Sequence, residues 1–93
     1  MIPFEKRLVV PAHVVVEEVE DESVLLNLDS ERYFGLDAVG TDMWAALTAS
    51  ASIGEAYDSL LAEYDIAPGV LRQDMEALIG RLVESGLLEL RGE

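Results

Sequence analysis

The stretch VLLNLDSERYFGLDAVGTDMW, from Val24 to Trp44, decides the fold of this chain. It begins with an apolar run, passes through the polar turn residues D-S-E, and continues into an aromatic strand that ends at Leu36. Asp37 follows at once, and an aspartate before an apolar periodic segment is a strong helix N-cap. Two β-rich segments joined by turn residues and followed by a capped helix predict a hairpin that leads directly into a helix.

A further strand is predicted upstream of this stretch. The run HVVVEEV, His13 to Val19, is rich in β-branched residues, and the polar residues E-D-E separate it from the next strand. The first strand is expected to begin after Pro11, which has no amide hydrogen to donate to a sheet. Three short strands with polar turns predict an antiparallel meander. Residues 1–12 are expected to form an N-terminal arm or an edge segment, and residues 13–93 the domain itself.

Three amphipathic helices are predicted downstream. The first starts at the Asp37 cap, and Ser52 and Glu55 have the spacing of a capping box for the second. Pro68 suits the first position of a third helix, which ends near Gly86. Apolar residues at helical spacing predict the faces that pack inward. These residues are Val39, Met43, Trp44 and Leu47 in the first helix, Ile53, Ala56, Tyr57, Leu60, Leu61 and Tyr64 in the second, and Leu71, Met75, Leu78, Ile79, Leu82 and Val83 in the third.

The order of these elements predicts the fold class. Three strands followed by three helices indicate an α+β fold of the winged helix-turn-helix type, with a three-stranded antiparallel sheet followed by three α-helices. The last apolar residues, Leu87 to Leu90, could return as a short strand or an extended tail. A length of 93 residues suits a single domain.

Composition limits the possible functions. The chain has 19 acidic and 6 basic residues, a net charge of -13, so it lacks the clustered cations that phosphate contacts need and no nucleic-acid partner is expected. It has no cysteine, which excludes disulfides and cysteine–zinc sites. Its apolar runs fall far short of the roughly 20 residues of a membrane span, and MIPFEKR is not a signal peptide. We expect a cytoplasmic protein with no membrane partner.

Residues that carry catalysis are scarce. His13 is the one histidine and lies in a predicted strand, where a surface position explains it better than a metal or catalytic role. No serine stands in G-x-S-x-G or S-x-x-K, and the glycines form no phosphate-binding loop. The acidic run around Glu20 is typical of a solvated hairpin that blocks edge aggregation, with weak divalent binding as the alternative. The sequence predicts a protein that is not an enzyme, with no catalytic residue, metal or cofactor.

Two features offer a binding surface. The strand Arg32 to Leu36 lies at a sheet edge if the meander is sequential, and an extended peptide can pair with such an edge as an added strand. Gly35 has no side chain and would let a partner backbone approach closely. The apolar stripe of the third helix is broad, and the flexible Met75 would suit a groove beside the strand. The alternatives are that the aromatic residues simply pack on the sheet and that the helix is an ordinary core helix.

The passage Val24 to Trp44, with two amphipathic helices and E-S-G-L-L-E after it, resembles the PqqD family of small peptide chaperones. The likeness extends from about His13 to Leu90 and is greatest to stand-alone members of lasso peptide pathways. It rests on E-R-Y-F-G-L-D in the third strand and G-T-D-M-W in the first helix. Asp37 replaces the family's usual asparagine and Ala38 a frequent proline, and both changes keep a competent N-cap. Residues 13–93 are therefore expected to form a PqqD-like peptide recognition domain.

The resemblance implies a function. Such domains bind the leader region of a ribosomally synthesised precursor peptide as an added strand between the third strand and the third helix, and they present it to processing enzymes without being catalysts. In a lasso pathway these enzymes are a leader peptidase and a macrocyclase. Carried over by position, the expected peptide-binding residues are Arg32, Tyr33, Phe34 and Gly35 of the strand and Leu71, Asp74, Met75 and Leu78 of the helix.

Two other interpretations stay open. Within the family, the partner could be a radical-SAM enzyme, as in pyrroloquinoline quinone biosynthesis, in place of a peptidase and a cyclase. From a different class, a winged-helix transcriptional regulator fits the order of the helices. Its recognition helix would need base-reading polar and basic groups, and the third helix offers Arg72, Gln73 and Arg81 among acidic neighbours.

Overall fold

The structure, a computed structural model, describes residues 2–92. Its elements are β1 (Arg7–Val9), β2 (Val14–Val19), β3 (Glu22–Asn27), β4 (Arg32–Leu36), α1 (Ala38–Ala49), α2 (Ile53–Glu63), α3 (Pro68–Glu84) and β5 (Glu89–Arg91). The central sheet has the order β2-β3-β4 with antiparallel neighbours, and β1 pairs with β5 in a separate antiparallel ribbon. The predicted α+β fold, three antiparallel strands followed by three helices, is confirmed.

The register of the central sheet separates an inner from an outer face. Leu25, at the centre of β3, lies opposite Val16 of β2 and Phe34 of β4, and it is fully buried. Because side chains alternate along a strand, the adjacent cross-strand pair of Leu26 and Tyr33 belongs to the other face. Tyr33 is accordingly 76% exposed. The inner face packs on the helices.

Local chemistry starts the helices where the sequence predicts. The Asp37 carboxylate accepts a hydrogen bond from the Gly40 amide at 2.8 Å. The Ser52 hydroxyl accepts one from the Glu55 amide at 3.2 Å. Pro68 occupies the first turn of α3, where a missing amide hydrogen leaves no helix bond unmade. Side-chain caps therefore explain where α1 and α2 begin, and a proline in the first turn explains where α3 begins.

One apolar core joins the sheet, the helices and the N-terminal segment. The segment expected to be an arm or an edge piece contributes the buried Leu8 of β1 to this core. The large side chains that are fully buried are Leu25, Leu47, Ile53, Leu60, Leu71, Met75, Ile79, Leu82, Leu87 and Leu88.

None of the helices within residues 2–92 has the length and apolarity needed to cross a bilayer.

Two valines predicted to face the core are exposed instead. Val39 of α1 is 48% exposed and Val83 of α3 is 39% exposed. Val39 lies in the first turn of α1, ahead of the part of the helix that crosses the core. Val83 lies at the margin of an apolar stripe that is wider than the contact it makes, since Ile79 and Leu82 beside it are buried. Apolar spacing in the sequence shows how wide the apolar face of a helix is, but it does not show whether another element covers the residues at the edges of that face.

Buried polar groups join the sheet to the C-terminal end of α3. Asn27 is 6% exposed; its Nδ2 donates to the Ser85 carbonyl at 2.9 Å and its Oδ1 accepts from the Asp29 amide at 3.0 Å. His13 Nε2 lies 3.1 Å from the carbonyl oxygen of Gly86. Gly86 has a φ of +72°, and a Cβ there would lie 2.9 Å from Asn27 Nδ2. We call Asn27, Ser85 and Gly86 the Asn27 junction, and it requires glycine at its last position.

Gly86→Ala is expected to lower the free energy of unfolding by about 1–2 kcal/mol, because alanine is strained in the left-handed region and would crowd the Asn27 amide. Gly80→Ala is the matched control within α3: its Cβ would meet nothing within 4 Å, and it should add up to about 1 kcal/mol through helix propensity. Urea unfolding followed by circular dichroism measures both values. A Gly86→Ala variant as stable as the wild type would contradict this account of the junction.

Candidate functional site

β4 is an edge strand with a helix across from it. In the order β2-β3-β4 it pairs with β3 alone among residues 2–92, as a sequential meander predicts. The backbone groups on the other side of Arg32–Leu36 therefore have no strand partner in this part of the chain. The space between this edge and α3 is occupied by two adjoining cavities, which we call the β4–α3 cleft.

The two cavities differ in size and position. The larger, about 490 Å³, lies between the end of β4, the start of α1 and the middle of α3; the smaller, about 350 Å³, lies between the start of β4 and the end of α3. Phe34 lines both, and the Arg81 guanidinium lies 5.7 Å from its ring centre, within cation–π range. The larger cavity is lined by Phe34, Gly35, Leu36, Asp37, Val39, Gly40, Met43, Asp74, Ala77, Leu78 and Arg81, and the smaller by Asn27, Ser30, Arg32, Tyr33, Phe34, Glu84, Ser85 and Leu87.

α3 runs in the opposite direction to β4 along the cleft. Asp74, early in α3, shares the larger cavity with Asp37, which follows β4. Glu84, at the end of α3, shares the smaller cavity with Arg32, at the start of β4. An extended chain lying antiparallel to β4 in this cleft would consequently run in the same direction as α3.

α3 presents a narrower face to the cleft than the sequence predicts. The residues it contributes to the larger cavity, at the i, i+3, i+4, i+7 spacing of one helix face, are Asp74, Ala77, Leu78 and Arg81. Leu71 and Met75 are 1% and 0% exposed and line neither cavity. Their predicted place in the cleft wall is corrected: they lie on the core side of α3, because the centre of its apolar stripe packs into the core and one margin alone borders the cleft.

The other residues predicted for peptide binding border the cleft, and their contact with a peptide remains a prediction. They are Arg32, Tyr33, Phe34, Gly35, Asp74 and Leu78. A Cβ on Gly35 would meet nothing within 4 Å, so packing within the free protein does not require glycine there.

Sequence reasoning missed Val39, Ala77 and Arg81 as cleft residues. The helical spacing from Asp74 to Arg81, two turns on the same face, was the available signal for Arg81.

The groups that line the cleft are suited to binding, and other chemically notable side chains lie apart from it. Residues 2–92 contain no group of three or more His, Cys, Asp and Glu side chains placed to hold a metal ion. His13 lies outside the cleft, with its Nδ1 3.6 Å from the Asp29 carboxylate. A hydrogen bond to Asp42 raises the pKa of Tyr64 to about 12, but neither residue lines the cleft. The cleft supplies an open strand edge, apolar walls and a few charges.

Comparison with known proteins identifies the family of this fold and cleft. The PqqD family, described as coenzyme PQQ synthesis protein D, matches residues 22–88, which include β3, β4 and all three helices. The chain belongs to the PqqD family. It is also similar to a solved structure, TbiB1 in complex with the TbiA(beta) leader peptide, with a TM-score of 0.81 and 33% sequence identity over 90% of this chain and 98% of that chain. A search of curated proteins finds no match.

Met75→Asp tests which side of α3 faces the core. A carboxylate at a position that is 0% exposed would have no partner, so we expect a loss of about 3–5 kcal/mol in the free energy of unfolding. Ala77→Asp, two residues further along and exposed at the cleft, should stay within about 0.5 kcal/mol of the wild type. Thermal melting followed by circular dichroism compares them. A Met75→Asp variant that melts at the same temperature as the wild type would contradict the placement of Met75 on the core side of α3.

Proposed function

We propose that this protein binds the leader region of a ribosomally synthesised precursor peptide as an added antiparallel strand in the β4–α3 cleft and delivers it to processing enzymes. The observation that carries the proposal is the open edge of β4 beside the mixed apolar and charged face of α3. Membership of the PqqD family supports it, as does the similarity to a protein solved with a leader peptide.

Strand addition suits a leader that is unfolded before binding. Hydrogen bonds between the leader backbone and β4 form with almost any leader sequence, while side chains that point into the two cavities provide selectivity. β4 has 5 residues, about 17 Å of strand, so the paired part of the leader would be of similar length. Phe34 lies between the two cavities and would contact leader side chains on both sides.

In this proposal the protein belongs to a lasso peptide pathway and acts in the cytoplasm without catalytic activity of its own. The leader peptidase and the macrocyclase of that pathway receive the bound precursor. Holding an unfolded peptide on a small domain that also contacts the enzymes raises the local substrate concentration without any change in the chemistry. A chain without cysteine is compatible with a reducing compartment.

The family description favours a second destination for the leader. PqqD is described as a coenzyme PQQ synthesis protein, and this setting corresponds to delivery of the peptide to a radical-SAM enzyme. The cleft and the mode of binding would be the same in both cases. An asparagine-synthetase-like cyclase or an iron–sulfur enzyme encoded beside this gene distinguishes the two destinations.

Fluorescence anisotropy with labelled leader peptides tests the proposal. The probes are the TbiA(beta) leader and the leader of a precursor encoded beside this gene. Proline is placed in turn at two adjacent mid-leader residues, because amides alternate in direction along a strand and one of the two faces β4. We expect saturable binding that is lost in one of these two peptides, because proline has no amide hydrogen. Proline at the end of the leader is the control. Binding that tolerates proline at every mid-leader position, or no binding at high micromolar protein, would contradict the proposal.

Val39→Asp tests whether the leader binds in the cleft or elsewhere on the surface. Val39 is 48% exposed and lines the larger cavity, whereas Val70 is 49% exposed and lines neither. Both valines lie in the first turn of a helix, where an added aspartate has similar favourable interactions with the helix dipole. Val39→Asp should weaken leader binding about tenfold, or about 1.4 kcal/mol, and Val70→Asp should leave it within about twofold. Equal affinities for the two variants would place the leader outside the cleft.

A further inference from the structure

Opposite charges lie at different points along the β4–α3 cleft. Asp37 and Asp74 line the larger cavity where β4 ends. Arg81 lines the same cavity further along α3, and Arg32 lines the smaller cavity at the start of β4. Because α3 and β4 run in opposite directions, an antiparallel leader would pass the two aspartates first and the arginines afterwards.

The charges of Asp74 and Arg81 are free to meet a ligand. Both side chains are exposed at the cleft, and neither forms an ion pair with another described residue. Asp37 uses Oδ1 to accept from the Gly40 amide and remains exposed. The Arg81 guanidinium lies 5.7 Å from the Phe34 ring centre, which keeps this cation beside the strand edge.

We propose that the cleft selects leaders by the order of their charges, with a lysine or arginine first and an aspartate or glutamate two or four residues later. This inference rests on the proposed function. Asp74 and Arg81 are seven residues apart in α3, about 10.5 Å along the helix axis. Three residues of strand span about 10 Å, and side chains on the same face are an even number of residues apart. Two or four residues are therefore the separations that match.

The overall charge makes Arg81 the more selective of the two contacts. With a net charge of -13, the surface attracts any basic peptide, so a lysine opposite Asp74 adds little discrimination by itself. An acidic leader residue is repelled by the net charge of the protein, and the cations that line the cleft are Arg81 and Arg32, with Glu84 beside Arg32 in the smaller cavity. The charge order therefore sets both the direction and the register of the leader in the cleft.

Selection from a displayed library of random peptides, each long enough to span β4, tests the inference. The wild-type protein should enrich peptides with a basic residue two or four positions before an acidic one. Arg81→Glu should remove the preference for the acidic residue and retain the basic one, and Asp74→Lys should do the reverse. For single synthetic peptides, each reversal should change the dissociation constant about three- to tenfold, the size of a partly exposed ion pair changed to a repulsive one.

Matched controls separate a local contact from a change in total charge. Arg72→Glu changes the same charge on the same helix, at a residue over the Phe4 ring that lines neither cavity. Asp58→Lys makes the same charge change as Asp74→Lys, at an exposed aspartate on α2. Both controls should keep the wild-type charge order, and circular dichroism confirms that each variant is folded.

The outcomes distinguish the inference from the proposed function. Peptides that bind, compete with a leader and show the same charge pattern for wild type, Arg81→Glu and Asp74→Lys would overturn the charge-order inference and leave leader binding intact. Enrichment that changes equally with the control variants would also overturn it, since total charge would then be the cause. If none of the enriched peptides binds the Val39→Asp variant more weakly than the wild type, the proposed function and the inference are both overturned.

Discussion

The side chain of Asn27 is the constraint on which the geometry of the cleft depends. It is buried at the end of β3, donates to the Ser85 carbonyl after α3, and accepts from the amides of Asp29 and Ser30 in the turn that leads to β4. One amide thus connects the end of the helix with the start of the edge strand. A buried amide that lost these partners would cost about 1–3 kcal/mol, so the two elements are held in one arrangement.

These contacts position β4, an open edge of the sheet, beside α3. Unpaired strand edges tend to associate with other chains, and β2, the other edge of the sheet, carries the acidic residues Glu17 and Glu18 that discourage such pairing. β4 instead lies beside α3, whose Ala77 and Leu78 border the cleft. In our proposal one extended strand of the leader pairs with β4 in this cleft.

The elements of the fold follow from short-range chemistry that a sequence displays directly. Asp37, Ser52 and Pro68 mark the helix starts, and the β-branched runs with polar turns mark the strands. The position of each side chain around a helix depends on what packs against it, and this is long-range information. Apolar spacing predicted that Met75 and Val39 both face inward; Met75 does, whereas Val39 borders the cleft. The placement of Met75 at the cleft came from the breadth of the α3 stripe and from the family resemblance, and the structure puts Met75 in the core. The spacing from Asp74 places Arg81 on the same helix face, but its position beside the Phe34 ring is a contact between residues distant in sequence, which the sequence does not display.

The central claim is that a leader pairs with the open edge of β4, and hydrogen exchange of backbone amides tests it most directly. Amides of Arg32–Leu36 that face away from β3 should exchange quickly in the free protein and slowly in the presence of a saturating leader peptide, in an alternating pattern along the strand. The amides of the β2 edge, Val14–Val19, should be unchanged. Protection that appears on β2, or binding without any new protection in β4, would contradict the account.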